Sequence, residues 1–199
     1  MGTNPQKIRL VDLPAGSREV AVPVLIDSFV GIYRWHAKRT LRKVPWVRGA
    51  CLGEETVGVS MLESLTPEVG YVYYLAVRAV HRGQGIGTLL LDDALDRFRR
   101  GRIRVVYGAV EEDNAASLSL FRSRGFRLVE RRELGYAEGG LGAWGLRSRM
   151  RLVHGEVLLG KRLDMDALHR SLGDPPDLTT PQVRSEIAYR STRDIAVGE

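Results

Sequence analysis

The chain has a single cysteine, Cys51, in 199 residues, so no disulfide can close within it. Its four histidines, His36, His81, His154 and His169, are scattered without the close pairing that metal sites use, and no metal centre is expected. Lysine is confined to Lys7, Lys38, Lys43 and Lys161; the rest of the 30 basic residues are arginine, and the net charge is +6. Asparagine occurs only as Asn4 and Asn114, and glutamine only as Gln6, Gln84 and Gln182. That scarcity draws attention to Gln84 and Asn114, which fall in patterned segments. No apolar run nears the ~20 residues needed to cross a bilayer. The first residues lack the layout of a signal peptide, and Gln6 breaks the myristoylation pattern, so a cytoplasmic protein without membrane contact is expected.

What is present is ordinary for a folded soluble chain: 44% hydrophobic and 27% charged residues exclude disordered and fibrous classes. The length suits one domain with decorations. An arginine-rich surface favours anionic ligands, but a phosphate-bearing small molecule, RNA, DNA and acidic protein would suit it equally.

Periodicity gives the order of elements. Residues 7–13 read as a strand ending at Pro14. Ser17 offers an N-cap for a helix through about Phe29, with Pro23 early in it, and a second helix runs from Ile32 to Lys43 after a joint at Gly31. Strands at 47–52 and 57–65 flank a Gly53–Thr56 turn, and the aromatic run Val69–Val77 forms a fourth strand. Thr88–Arg100 carries Leu89, Leu90, Ala94, Leu95 and Phe98 at helical spacing and stops at Gly101; 103–110 returns to strand character, which makes a right-handed parallel crossover. A helix over 114–124 stopped by Gly125, a strand over 126–134, a glycine-crowded loop over 139–145 and a last strand over 151–163 follow. Two short helices, capped at Asp164 and opening at Thr180-Pro181, complete the chain, with order fading beyond Arg190.

Between the fourth strand and the helix at 88–100 lies Arg82-Gly83-Gln84-Gly85-Ile86-Gly87. Glycines ahead of a helix N-terminus leave backbone N–H groups open to phosphate oxygens, where the helix dipole also favours an anion. Taken alone the pattern fits packing as well as phosphate binding. It is not a P-loop, because no Lys-Ser/Thr follows, and the Rossmann spacing fails at Thr88 or Leu90.

What remains resembles motif A of the Gcn5-related N-acetyltransferase (GNAT) superfamily, Gln/Arg-x-x-Gly-x-Gly/Ala, filled by Arg82, Gly85 and Gly87. The resemblance extends upstream to Leu75-Ala76-Val77 and downstream to Asn114, Leu120, Phe121 and Gly125-Phe126; Ala79 departs from it where the family usually has proline. It implies a mixed, mostly antiparallel α/β sheet with helices on both faces, and a splayed central strand pair that binds acetyl-CoA as co-substrate. It further implies an acetyltransferase domain over 1–163 with a C-terminal extension over 164–199. The backbone N–H groups from Gln84 through Ile86 to Thr88 would hold the pyrophosphate, the strand end at Leu75, Ala76 and Val77 would pair with the pantetheine arm, and Arg82, Gly83 and Phe121 would complete the cofactor site. Asn114 would contact the pantetheine; its other reading is an N-cap.

Two catalytic positions depart from the family. Where relatives that acetylate protein N-termini carry a glutamate and a tyrosine, this chain has Ala109 and Phe121, neither able to move a proton. Where the histone-acetylating branch has a strand glutamate, it has Tyr71, with Tyr73 next along the same face. Tyr71, Tyr73, Glu63 and Glu111 are the catalytic candidates, each with the plainer alternative of a packed aromatic or a solvated carboxylate. Trp35 and His36 fall where the family builds its acceptor wall. The expected function is direct acetyl transfer to an unidentified primary amine of a protein or small molecule. The alternatives are a non-catalytic acyl-CoA-binding module and a nucleic-acid-associated protein using Arg97, Arg99, Arg100, Arg102 and Arg104. The extension from Asp164 is available to cap the acceptor site or to build a homodimer.

Overall fold

A computed structural model of the chain describes residues 7–129, 143–150 and 155–163. Seven strands form one sheet: β1 (Arg9–Asp12), β2 (Trp46–Leu52), β3 (Glu55–Ser64), β4 (Val69–Val77), β5 (Val105–Glu111), β6 (Arg127–Leu128) and β7 (Glu156–Arg162). Their spatial order is β1-β2-β3-β4-β5-β7-β6, with β4–β5 parallel and the other pairs antiparallel. The one parallel pair is the crossover expected from the strand–helix–strand pattern, with α3 (Ile86–Arg100) as its helix.

Helices cover both faces. On one, α3 turns Leu91, Ala94, Leu95 and Phe98 onto Leu62, Val72 and Val106, joined by Phe121 of α4 (Ala115–Ser123). Phe98 lies so close to Gly70 of β4 that an added β-carbon would stand 2.7 Å from its ring, so the strand carries glycine there. On the other face α1 (Val22–Ser28) and α2 (Gly31–Leu41) bury Val24, Leu25, Ala37 and Leu41 against Val47, Val59 and Met61.

Several boundaries differ from expectation for identifiable reasons. Pro23, lacking an N–H, sits at the start of α1, so the expected helix from Ser17 divides into a 3-10 turn over Ala15–Ala21 and a short α-helix. Ser17 makes no side-chain cap; its hydroxyl donates to Pro14 O at 3.2 Å. Helix α3 begins two residues before Thr88, inside the glycine loop. It ends in a Schellman motif in which Arg102 N donates to Arg99 O and Ile103 N to Phe98 O, each at 3.0 Å. Arg102, at φ 59°, takes the left-handed position there, not Gly101, the expected stop. Gly145, expected in a loop, lies within α5 (Ala143–Met150). The parts of the strands expected over 130–134 and 151–154, the loop from 139 to 142 and the extension from 164 lie outside the described residues.

The sheet opens where the site is. β4 pairs with β5 from Val69↔Val105 to Val72↔Gly108 and no further, although β4 runs on to Val77 and β5 to Glu111. At the point of departure β4 carries a bulge: Met61 faces Tyr74 and Leu62 faces Val72, so Tyr73 falls outside the register. A bulge bends its strand and sharpens the local twist, which carries the end of β4 away from β5. Phe121 covers Gly108, the last residue of β5 paired with β4, its ring 2.7 Å from where a β-carbon on Gly108 would stand.

Candidate active site

A cleft of about 570 Å3 lies between the end of β4, the N-terminus of α3 and the start of α4. Gly83 and Gly85 adopt φ of +74° and +80°, a left-handed conformation that favours glycine, and open space faces both Cα atoms. Gly85 is the N-cap of α3 without a side-chain cap, and Leu89 N donates to Gly85 O at 2.9 Å. The N–H groups of Ile86, Gly87 and Thr88 therefore have no acceptor within the helix, and all three residues line the cleft. Gly87 is glycine for another reason: a β-carbon there would lie 3.3 Å from Leu120 and 3.6 Å from Leu75, where α3 approaches α4 and β4.

Other groups trim the cleft. Ile86 is buried beneath the loop with Val57, Val77 and Leu90. Arg82 Nε donates to Val77 O at 3.0 Å, and Ser28 Oγ donates to the same carbonyl at 3.3 Å. That carbonyl points into the gap left by β5, and by the alternation of a strand Leu75 presents its polar backbone to the same side. Gln84 turns its amide back to Val80 O at 3.3 Å and does not line the cleft. Asn114 Oδ1 accepts from Ser117 N at 3.0 Å, which makes it the N-cap of α4, while its residue also lines the cleft.

The cleft shares Phe29, Leu75, Asn114, Ser117 and Leu120 with a space of about 100 Å3 inside the splay, whose far wall holds Tyr33, Tyr73, Tyr74, Glu111 and Glu156. A third space, of about 40 Å3, continues past Tyr73, Tyr74 and Glu156 to His36, Thr40 and Tyr71. Together they run through the sheet, from the phosphate-sized loop on one side to α2 on the other.

The family model for the acetyltransferase (GNAT) family matches residues 17–126, over half of the chain. The chain belongs to this GNAT family. It is 39% identical over 102 residues to the N-alpha-acetyltransferase RimI of Mycobacterium tuberculosis, a match spanning 50% of this chain and 63% of that protein. It is 27% identical over 105 residues to the mycothiol acetyltransferase of Corynebacterium glutamicum, spanning 50% of this chain and 36% of that protein. The chain thus matches less than two thirds of either relative's length. Among solved structures, a GNAT family acetyltransferase from Elizabethkingia anophelis with acetyl-CoA bound superposes with a TM-score of 0.59 at 18% identity, over 78% of this chain and 98% of that one. The mixed sheet expected from the sequence is the GNAT fold.

Within this GNAT domain the residues singled out from sequence divide. Leu75, Ala76, Val77, Arg82, Gly83, Gly85, Ile86, Gly87, Thr88 and Asn114 come together around the cleft. Phe121 does not line it; the ring is buried edge-to-face against Phe126 at 4.9 Å and touches only the smaller inner space. Tyr71 is buried at 2% exposure among Leu65, Val69, Tyr107, Met150 and Leu158. Burial first, then the charge of Glu156, holds its hydroxyl well above the ordinary tyrosine range, so it keeps its proton. Tyr73 donates its hydroxyl to Arg149 O at 2.8 Å. Glu63 is turned away from the opening into an ion pair with Arg149 at 2.5 Å, whose guanidinium also donates to Leu65 O. Glu111 does line the inner space. His36 reaches the third space, whereas Trp35 is 57% exposed, and the two rings meet edge-to-face at 4.9 Å.

The arginine series is largely engaged by the protein itself: Arg97 pairs with Asp12 and stacks over Trp46, Arg99 pairs with Asp96, and Arg104 with Glu68. Tyr33 and Glu156, which also line the inner space, were not singled out from sequence. Tyr33 shares a helical face with Ala37 and Leu41, four and eight residues on, and that spacing was legible. Glu156 enters only through the pairing of β7 with β5, which no local pattern encodes.

Proposed function

We propose that residues 1–163 form an acetyl-CoA-dependent N-acetyltransferase domain that passes the acetyl group directly to a primary amine, and that residues 164–199 are an extension to it. The observation that carries this reading is the continuity of the cleft with the gap between β4 and β5. A glycine loop with three unmatched helix N–H groups suits a pyrophosphate. A strand end that has lost its neighbour suits an amide-bearing arm laid alongside as an added strand. Gly83 and Gly85 with Ile86, Gly87 and Thr88 hold the phosphates in this reading. Leu75, Ala76 and Val77 flank the arm, and Arg82 fixes the strand end from which it hangs. Asn114 shapes the entrance as the cap of α4.

The chemistry left to the protein is modest: a nearby amine must lose a proton, and a thiol of ordinary pKa ~8.5 must leave. Cys51 is buried away from the cleft, so no acyl-enzyme is invoked. RimI is named as an N-alpha-acetyltransferase and the Corynebacterium enzyme for mycothiol, so peptide α-amines and small amines both belong in the test. The experiment follows thiol release from acetyl-CoA with free-N-terminal peptides and small amines, with mass spectrometry of the product. Amine-dependent release with one acetylated product per thiol is expected. Tight acetyl-CoA binding without turnover on any amine would assign the chain instead to non-catalytic acyl-CoA binding.

A further inference from the structure

A 3-10 turn over Ala79–His81 carries the chain from the end of β4 into the glycine loop. His81, its last residue, lines the cofactor cleft, as do Val77 before the turn and Arg82 after it. A helical turn leaves its first N–H without an acceptor of its own. Here His81 N donates to Arg78 O at 2.9 Å and Arg82 N to Ala79 O at 3.2 Å. The N-cap residue, Arg78, offers no side-chain acceptor, and its guanidinium pairs with Glu55. The acceptor for Ala79 N comes from 52 residues away: it is Asp27 Oδ2, at 2.6 Å.

The neighbours of Asp27 hold it in place. It lies in the last turn of α1 beside Ser28, whose hydroxyl donates to Val77 O, and Phe29 meets Tyr74 of β4 edge-to-face at 5.2 Å. Arg34 of α2 donates to Ile26 O at 3.0 Å and to Phe29 O at 2.7 Å, which fixes the elbow between the helices on either side of Asp27. A proline at position 79 would have no N–H to satisfy, and its ring would fix φ at about −65°. Arg78, at ψ 140°, already has the extended conformation that a following proline requires. Ring and carboxylate are thus two ways to set the same turn. Resting on the acetyl-transfer reading above, we propose that Asp27 is a positioning residue for acetyl-CoA: from α1 it caps the Ala79–His81 turn and so holds the glycine loop in the conformation that receives the pyrophosphate. Asp27 does not itself line the cleft, so its effect on affinity passes through the turn. Without the cap the loop spends less time in the receptive conformation, and affinity falls with that fraction.

Calorimetric titration of acetyl-CoA into wild type and a set of variants tests this. Asp27→Ala should bind about fivefold more weakly than wild type, and Asp27→Asn, which keeps an acceptor oxygen, should stay within about twofold. Ala79→Pro should also stay within about twofold, and in that background Asp27→Ala should change nothing, because no N–H is left to cap. With an amine that turns over, Asp27→Ala should raise KM for acetyl-CoA by the same factor and leave kcat unchanged. Equal affinity in wild type and Asp27→Ala overturns the proposal, as does an equal loss from Asp27→Ala with and without the proline. Failure of acetyl-CoA to bind folded wild type is read first; it defeats the acetyl-transfer reading, and the role of Asp27 falls with it.

Discussion

Arg18 shows how a single side chain can tie separate segments together. It is buried at 8% exposure, and its guanidinium donates to Leu13 O at 3.2 Å, Leu41 O at 2.8 Å and Pro45 O at 3.2 Å, joining the end of β1, the end of α2 and the turn into β2. Substitution Arg18→Met keeps most of the volume and strands three carbonyls. It should cost about 3 kcal/mol in urea unfolding, since hydrogen bonds to charged groups contribute ~1.5–3 kcal/mol each and the carbonyls regain some water. Tyr33 gives a residue-scale pH dependence. Its hydroxyl titrates near 12 in the folded protein and near 10 unfolded, so its contribution to stability is complete below pH ~10 and is lost as pH rises from there through 12. Unfolding midpoints should therefore fall less steeply over that window in Tyr33→Phe than in wild type. A parallel fall in both proteins would contradict the placement of Tyr33 beside the carboxylates.

At the scale of elements, two helix ends with one hydrogen-bond pattern differ in a single residue. α4 closes with Gly125 at φ 78°, Gly125 N donating to Arg122 O and Phe126 N to Phe121 O; α3 closes the same way with Arg102 at φ 59°. A non-glycine residue costs about 1 kcal/mol in that conformation, so Arg102→Gly should raise stability by roughly that amount, measured by thermal unfolding. Gly108 lies where the sheet opens. Gly108→Ala drives a methyl into the Phe121 ring and should cost about 1–3 kcal/mol, with a matching drop in Tm.

These elements also mark what could be read from sequence alone. The stripe on α3 and the alternation in β2 to β5 gave the order of elements, because helix and strand periods are local. The bulge at Tyr73 and the meeting of Glu111 with Glu156 depend on register between distant strands. Motif position assigned Phe121 to the cofactor, whereas packing against Gly108 and Phe126 puts the ring in the core.

Across the whole molecule, charge is arranged by place rather than by total. The positive excess suits an anionic ligand, Arg97 and Arg99 of α3 and Arg104 beyond it are held in ion pairs with their own protein, and Glu111 and Glu156 line the inner space of the opening. A glycine loop that opens helix N–H groups to phosphate oxygens fits a domain that takes a phosphate-bearing acyl donor. The most direct test of that account is calorimetric titration of acetyl-CoA into wild type, Gly85→Ala and Gly85→Glu. Open space at Gly85 lets both variants fold with similar backbone strain, so their difference isolates the added carboxylate in the phosphate loop. One-to-one binding by wild type, retained in part by the alanine variant and weakened a further tenfold or so by glutamate, is the result expected. Equal affinity in the alanine and glutamate variants, or no binding by folded wild type, would contradict it.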